Sequence, residues 1–186
     1  MTAPKFDVDD LVAECQAAAA TDEPLPATRD VLARMLDRRS LVADVLGRDE
    51  GGLETLFASD ELTILNAVWA PGMLLQPHDH RMWAAIGVYA GVEDNEFFRR
   101  NGAGIAESGG KAVPEGEVLL LGDDVIHRVR NSTNRLTGAI HVYGGDFFNT
   151  PRSEWDPETF EEHAWSTEHT LAQFAEANAR YRDTRV

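Results

Sequence analysis

The sequence has a single cysteine, Cys15, and lacks any apolar run long enough to cross a membrane. A lone cysteine cannot form a disulfide within the chain, so the fold must be stable without one. Cys15 lies on the apolar face of a predicted helix, which favours a buried structural thiol. A membrane-spanning helix needs about 20 consecutive apolar residues, so we expect no insertion into a membrane.

Positive charge is also scarce, because 17 lysines and arginines stand against 32 acidic residues and give a formal net charge of −15. Since no cluster of lysine and arginine interrupts this acidic background, nucleic acids and anionic membrane surfaces are not expected as partners. Lys5, Asp7, Asp9 and Asp10 interrupt any apolar run of the kind that a signal peptide needs. The sequence therefore predicts a cytoplasmic protein.

The length of 186 residues suits one domain, and a hydrophobic content of 43% is sufficient for a core. We predict a single domain, 1–186, with three parts. A helical flank occupies 1–50, a β barrel occupies 51–150, and a C-terminal extension that ends in a helix occupies 151–186.

Apolar residues at helical spacing predict three helices in the N-terminal flank. The first follows a cap at Asp7, the second follows a cap at Thr28 after two prolines break the chain, and the third covers 40–46. A fourth helix is predicted to begin near Ser166 or Thr167.

Short strands bounded by turn residues fill the middle of the chain. Turn signals about every ten residues are typical of a β sandwich or barrel. The predicted strands are 62–69, 76–89, 92–100, 113–121, 125–131 and 137–143. The glycine-rich segment 103–111 is predicted to be an exposed loop, and the segment 152–157 is predicted to be irregular.

His78 and His80 are separated by one residue in the predicted strand 76–89. Residues i and i+2 of a strand share a face, so both imidazoles can reach one point. A third histidine, His127, lies between apolar neighbours in the strand 125–131. Because neutral imidazole is a common ligand of iron, zinc, copper and nickel, the three histidines are a candidate metal site. A histidine that only packs in the core is the alternative for His127.

These histidines stand in a pattern that resembles the two metal motifs of the cupin superfamily. The matching positions are His78, His80, Gly91, Gly116, His127 and Asn131. The motif glutamate is absent, since Ala84 and Ala85 occupy its two possible positions. The resemblance implies a mainly β fold, the cupin double-stranded β-helix or jelly-roll barrel, with N-terminal helices, a C-terminal helix and a metal site of three histidines.

A cupin site of three histidines resembles that of the thiol dioxygenases, which include cysteine dioxygenase and mercaptopropionate dioxygenase, and related metal-dependent double-stranded β-helix proteins. These enzymes carry a Ser-x-His-x-Tyr after the third ligand. His141 and Tyr143 match its last two members, and Ala139 replaces the serine. The resemblance implies catalytic roles for His141 and Tyr143, and the alternative is a buried pair that satisfies local backbone groups.

The same resemblance implies the cofactor and the reaction. Fe(II) is the favoured metal, because O₂ activation needs a redox metal with open coordination positions. The implied reaction oxidises a small thiol to a sulfinate with O₂. Zinc, manganese, nickel and copper are the alternative metals.

The arginine that binds the substrate carboxylate in cysteine dioxygenases has no counterpart in the segment 52–57. In the run Phe-Phe-Arg-Arg, strand alternation would turn one of Arg99 and Arg100 inward, where an unpaired guanidinium would be costly. We expect Arg99 to bind the anionic group of the substrate. The alternative is a buried ion pair with Glu93 or Glu117.

Other polar residues are expected to have structural roles. Asp79 faces away from the site and at most orients a ligand histidine, Trp83 packs, and His163 and His169 lie on the surface. Two other functions stay open: a cupin isomerase or hydrolase with another divalent metal, and a non-catalytic cupin that binds a small ligand or a metal. The sequence leaves the substrate and the oligomeric state open.

Overall fold

The computed structural model describes residues 5–184; residues 1–4 and 185–186, which belong to the predicted flank and extension, lie outside the described residues. The elements in chain order are α1 Val8–Ala19, α2 Pro24–Leu36, α3 Arg39–Leu46, β1 Gly52–Ala58, β2 Thr63–Trp69, β3 His78–Asp79, β4 Ala84–Ala90, β5 Val92–Asn101, β6 Gly104–Pro114, β7 Val118–Leu121, β8 Ile126–Arg130, β9 Thr137–Tyr143, β10 Ser153–Trp155, β11 Glu162–Ala164 and α4 Thr167–Asp183.

The strands form a nested series of antiparallel pairs. β5 and β6 form the central hairpin, β4 pairs with β7, β3 pairs with β8, and β2 pairs with β9. The first and second halves of the barrel therefore pair with each other as an antiparallel two-stranded ribbon. Successive pairs of this ribbon lie in two different sheets. Their strand orders are β1-β2-β9-β4-β7 and β11-β10-β3-β8-β5-β6. This arrangement is a double-stranded β-helix, so the predicted fold class is confirmed.

The five-stranded sheet is apolar on both faces, because alternate residues of its strands face the barrel interior and the N-terminal helices. Strands β2 and β9 are buried along their whole lengths. The inner face includes Leu65, Ile86 and Ala139, and the outer face packs Ile64 and Ile140 against the helices. The helical flank therefore covers one sheet and leaves the barrel interior free to form a site.

Helix α1 has the predicted cap, since the Asp7 side chain accepts a hydrogen bond from the backbone N–H of Asp9 at 2.9 Å. Its apolar face is buried and includes Cys15, as predicted, and burial raises the pKa of that thiol to about 12. The cap predicted at Thr28 is wrong, because α2 already begins at Pro24. Proline suits the first turn of a helix, where its missing N–H has no intrahelical partner to lose.

The prediction of a single strand over 76–89 is wrong, because this segment contains two strands, β3 and β4, that belong to different sheets. Between them Arg81 adopts a φ of 59°, which is unusual for a residue other than glycine and breaks the extended backbone. His78 therefore lies within a strand, whereas His80 follows that strand and precedes the bend at Arg81 and Met82.

Three further segments differ from the predictions. The predicted loop 103–111 is part of β6, which pairs along β5 although it is glycine-rich and mostly exposed. The predicted strand 113–121 is interrupted by a turn at Gly116, where φ is 90°. The segment 152–157 contains β10, which pairs with β3 and β11. In each case the hydrogen bonds of a neighbouring strand or a turn, rather than residue pattern, decide the structure.

Gly91 carries the chain from β4 in one sheet to β5 in the other. Its φ is 77°, and a Cβ at this position would come within 2.6 Å of the Thr137 hydroxyl. Only glycine tolerates both conditions. The turn brings β5 beside β8, which carries His127.

Helix α4 begins as predicted, because the Ser166 side chain caps it by accepting from the backbone N–H of His169 at 3.1 Å. The helix packs on the barrel through Phe174, whose ring stacks on Trp69 with centroids 5.3 Å apart. Within residues 5–184, no helix combines the length and the apolar character required to span a membrane.

Candidate metal centre

Two adjacent strands and the residue that follows one of them bring the three predicted ligands together. His78 in β3 and His127 in β8 are direct Cα partners, and His80 follows β3 at once. All three side chains are buried. Among the described residues, they form a group whose candidate ligand atoms lie within 4.8 Å of one another.

The Nε2 atoms of the three rings point toward each other. The Nε2 of His80 lies 3.1 Å from that of His78 and 3.3 Å from that of His127. Two ligand atoms bound about 2.1 Å from an ion, at about a right angle to each other, would be about 3 Å apart. The spacing therefore fits three ligands on one side of a metal ion.

Hydrogen bonds on the far side of two rings determine where their protons lie. The Nδ1 of His78 is 3.1 Å from the carbonyl oxygen of Gln76, and the Nδ1 of His127 is 2.7 Å from Oδ1 of Asn95. Oxygen acceptors at both Nδ1 atoms require N–H groups there, which leaves the Nε2 lone pairs free. Such partners orient histidine ligands in metal sites.

Burial keeps these imidazoles neutral. It lowers the pKa of His78 to about 3, although the hydrogen bond with Gln76 opposes the shift. Burial, reinforced by the neighbouring histidines, also holds the pKa values of His80 and His127 well below their usual range. Converging neutral nitrogen lone pairs repel one another unless a proton or a cation lies between them, so the donor set fits a divalent metal.

His141 and Tyr143 lie beside this cluster on β9. The Nδ1 of His141 is 3.1 Å from the Tyr143 hydroxyl, and the Tyr143 and His80 rings meet edge to face with centroids 4.9 Å apart. Burial raises the pKa of Tyr143 although the charge of Arg152 opposes it, so the phenol keeps its proton. The structure thus brings both predicted catalytic residues to the candidate metal site.

Glu93 and Asn95 are site residues that the sequence analysis did not identify. The Glu93 carboxylate accepts from Nε2 of His141 at 3.0 Å, from the Trp69 indole at 2.8 Å and from the Asn95 amide at 3.0 Å. Burial opposes its ionisation, but the electrostatic attraction of the His141 N–H and these three hydrogen bonds outweigh burial and lower the pKa of Glu93. Glu93 is therefore a buried carboxylate, and the suggested ion pair with an arginine of its own strand is wrong.

The prediction that Arg99 or Arg100 points into the barrel is also wrong, because both side chains are exposed. Pairing of β5 with β8 ends at Phe98, so beyond that residue the inward face of β5 meets solvent instead of the barrel. Arg100 forms an ion pair with Glu162 at 2.8 Å. Within residues 5–184, Arg99 has no carboxylate partner and is absent from the lining of the cavity beside the histidines.

Arg152 is the buried cation near the cluster. Its guanidinium lies between two aromatic rings, 4.0 Å from the centroid of Phe147 and 4.4 Å from that of Trp165. It donates to the carbonyl of Phe147, but its Nε has no acceptor, and it forms no ion pair with a carboxylate of the described residues. Burial lowers its pKa to about 10. No periodicity could have revealed Arg152, because its segment has no regular sequence pattern.

A small cavity adjoins the candidate ligands. Four of its lining residues are His78, His127, His141 and Tyr143, and most of the others are apolar. Its free volume of about 20 Å³ is close to what one water molecule requires. Phe147 and Trp165 also line it, so the chain beyond the barrel, on both sides of Arg152, closes the site.

The remaining candidates have structural surroundings. Asp79 pairs with Arg81 at 2.6 Å and accepts from the backbone of Ser153 at 2.8 Å, so it holds β10 and does not orient a ligand. Asn131 is buried in a turn, where its amide donates to the Trp69 carbonyl at 2.9 Å. His163 and His169 are exposed.

Comparison with solved structures finds chains that are similar to part of this one. BH2720 of Bacillus halodurans has 18% identity and a TM-score of 0.50, over 56% of this chain and 77% of that chain. An RmlC-like cupin family protein with a double-stranded β-helix fold from Methanocaldococcus jannaschii has 12% identity and a TM-score of 0.46, over 54% and 84%. An oxalate decarboxylase variant from Bacillus subtilis has 16% identity and a TM-score of 0.44, over 55% and 27%.

At these identities the comparison concerns the fold alone and assigns no activity to the chain. No protein-family model matches the sequence.

Proposed function

We propose that this chain is a metal-dependent dioxygenase that uses Fe(II) and O₂ to oxidise a small, anionic thiol to a sulfinate. The observation that carries the proposal is the convergence of three neutral imidazole nitrogens beside a His–Tyr pair at a small, mostly apolar cavity. Ligands confined to one side of a metal leave positions open on the other, which separates a catalytic site from a closed structural one.

A bound Fe(II) would supply the electrons that activate O₂ and would lower the pKa of a coordinated thiol. The overall reaction, R–SH + O₂ → R–SO₂H, places both oxygen atoms on sulfur and needs no further reductant. His78, His80 and His127 would hold the metal. The apolar walls of the cavity would exclude water from the reacting groups.

Two observations support a role of Tyr143 toward the substrate: its ring contacts His80, and Tyr143 lines the cavity. Its phenol oxygen would accept a hydrogen bond from the S–H group of the thiol. His141 would hold the hydroxyl in place. One such hydrogen bond, made where charge develops, is typically worth about 10²–10³ in rate.

Arg152 supplies the cation for the anionic group of the substrate. An arginine whose Nε lacks an acceptor is suited to a carboxylate, because its planar fork matches two carboxylate oxygens. Arg152 itself does not line the cavity, but the two rings that flank it do, and little solvent is present there to weaken the attraction. The substrate class that follows is a small thiol that carries a carboxylate.

Anaerobic purification, metal analysis and an oxygen-electrode screen over small thiols test this function. We expect iron-dependent O₂ uptake with carboxylate-bearing thiols and sulfinate as the product, identified by mass spectrometry. A protein that holds zinc or manganese and consumes no O₂ with any thiol would contradict the proposal. That outcome would favour a cupin isomerase or hydrolase, or a non-catalytic binding protein.

A further inference from the structure

Glu93 joins two parts of the site that are separate in sequence. One oxygen, Oε2, accepts from Nε2 of His141 at 3.0 Å and from the Trp69 indole at 2.8 Å. The other, Oε1, accepts from the amide nitrogen of Asn95 at 3.0 Å. The side chain is fully buried, so no solvent competes for these bonds.

Two branches of hydrogen bonds start at Glu93, one through His141 and one through Asn95. The branch through His141 determines the direction in which the Tyr143 hydroxyl donates. An ionised carboxylate can only accept hydrogen bonds, so Nε2 of His141 must carry a hydrogen. In the neutral ring, Nδ1 then has a lone pair and accepts from the Tyr143 hydroxyl, 3.1 Å away. The lone pairs of the phenol oxygen are left to accept from a group in the cavity.

The hydrogen bonds from Glu93 through Asn95 determine the tautomer of His127, a candidate metal ligand. Because the Asn95 amide nitrogen donates to Glu93, its oxygen is the atom that faces Nδ1 of His127, 2.7 Å away. An oxygen at that position requires a hydrogen on Nδ1. The Nε2 lone pair of His127 is consequently free to point toward His80.

We propose that Glu93 is a positioning residue that fixes the tautomers of His127 and His141 together. One buried carboxylate thereby sets both a metal-binding lone pair and the direction of the Tyr143 hydrogen bond. The inference deepens the proposed function and rests on it, because it assigns a task to the same metal site and the same tyrosine.

Replacing Glu93 with glutamine shows why a carboxylate is needed, since a carboxamide has one acceptor atom and one donor group. If its oxygen faces His141, its nitrogen faces Asn95, whose amide must turn and withdraw the acceptor from His127. If its nitrogen faces His141, that ring must change tautomer and donate to Tyr143. Either orientation breaks one branch.

The first experiment uses the parent protein with zinc, which is diamagnetic, in place of iron. Long-range ¹H–¹⁵N correlation spectra of ¹⁵N-histidine protein report which ring nitrogen carries hydrogen. We expect hydrogen on Nε2 and none on Nδ1 of His141, and hydrogen on Nδ1 of His127. A hydrogen on Nδ1 of His141 in the parent protein overturns the proposal, and this result needs no variant to fold.

Variants then separate the two branches. Glu93→Gln should weaken zinc binding about 10- to 100-fold, as loss of a partner behind a ligand typically does, or invert the tautomer of His141. Asn95→Ala should weaken zinc binding over the same range and leave His141 unchanged. Glu96→Gln is the matched control on the same strand, since Glu96 pairs with Arg128 at the barrel surface, and it should change neither property.

Zinc affinity is measured by competition with a chelator. Parent-like affinity in Asn95→Ala, or parent-like affinity and tautomers in a folded Glu93→Gln, would overturn the proposal. None of these measurements requires thiol or O₂. If the tautomers and affinities behave as expected while no thiol supports O₂ uptake, the dioxygenase function fails and the role of Glu93 stands.

Discussion

His78 and His127 face each other as direct partners across β3 and β8, with ring centroids 4.7 Å apart. The two strands belong to opposite arms of the folded ribbon, so the pair forms only when these two arms have come together. The metal site is therefore a product of the fold, and four predictions follow from its surroundings.

Replacing His127 with alanine should remove most of the bound metal, because two imidazoles alone rarely retain an ion that three hold. We expect about one metal ion per chain in the parent protein, measured by elemental analysis after purification without added chelator. His163→Ala is the matched control, since His163 is exposed and lies outside the cluster. A His127→Ala protein that holds metal as well as its parent would exclude the three-histidine site.

Tyr143→Phe and His141→Ala should keep the metal and lose turnover, by about 10²–10³ for the lost transition-state hydrogen bond. Turnover is measured as O₂ uptake at saturating thiol. Tyr89→Phe serves as the control, because Tyr89 lies outside the site. Its hydroxyl donates to Asn66, and its side chain packs with the N-terminal helices. Unchanged turnover in both site variants would leave His141 and Tyr143 with a packing role.

Arg152→Gln should raise KM for a carboxylate-bearing thiol and leave KM for cysteamine, which has no carboxylate, little changed. The reason is that glutamine loses the charge that attracts the anion and keeps much of the side-chain volume. Arg99→Gln is the control, since Arg99 is exposed at the end of β5. Equal losses on both thiols would make Arg152 a structural residue, and an effect of Arg99→Gln alone would restore Arg99 as the substrate-binding arginine.

The metal-free protein should lose stability as pH falls below about 6.5. The folded pKa of His78 is about 3, against an ordinary value of 6.5, so between these pH values the unfolded chain binds a proton that the folded chain does not. Stability must then fall with pH, by about 1.4 kcal/mol per pH unit for each such histidine. His80 and His127 shift in the same direction and steepen the decline.

Urea unfolding of the metal-free protein at pH 7, 6 and 5 checks this expectation. The control is again His163→Ala, which should show the same decline as the parent. A free energy of unfolding that stays level from pH 7 to pH 5 would mean that the three histidines are not buried in neutral form.

The sequence by itself determined the β-rich fold, the outer helices and the three candidate ligands. Alternating apolar residues and turn glycines such as Gly91 act within a few residues of each other, so they can be interpreted without knowledge of the rest of the chain. His141 and Tyr143 were identified by resemblance to the Ser-x-His-x-Tyr of the thiol dioxygenases, and their i, i+2 spacing on β9 places both on one face.

Tertiary structure alone decided the partners of those residues. Glu93 meets His141 because β5 and β9 face each other across the barrel. Asn95 meets His127 because Asn95 lies two residues from Phe97, on the same face of β5, and Phe97 is the partner of His127 in the β5–β8 register. The prediction that Arg99 points inward failed because strand alternation gives the direction of a side chain but does not tell where the neighbouring strand ends. Arg152 becomes buried only when Phe147 and Trp165 enclose it. A local pattern describes the faces of its own element, and what lies opposite each face depends on contacts between residues that are distant in sequence.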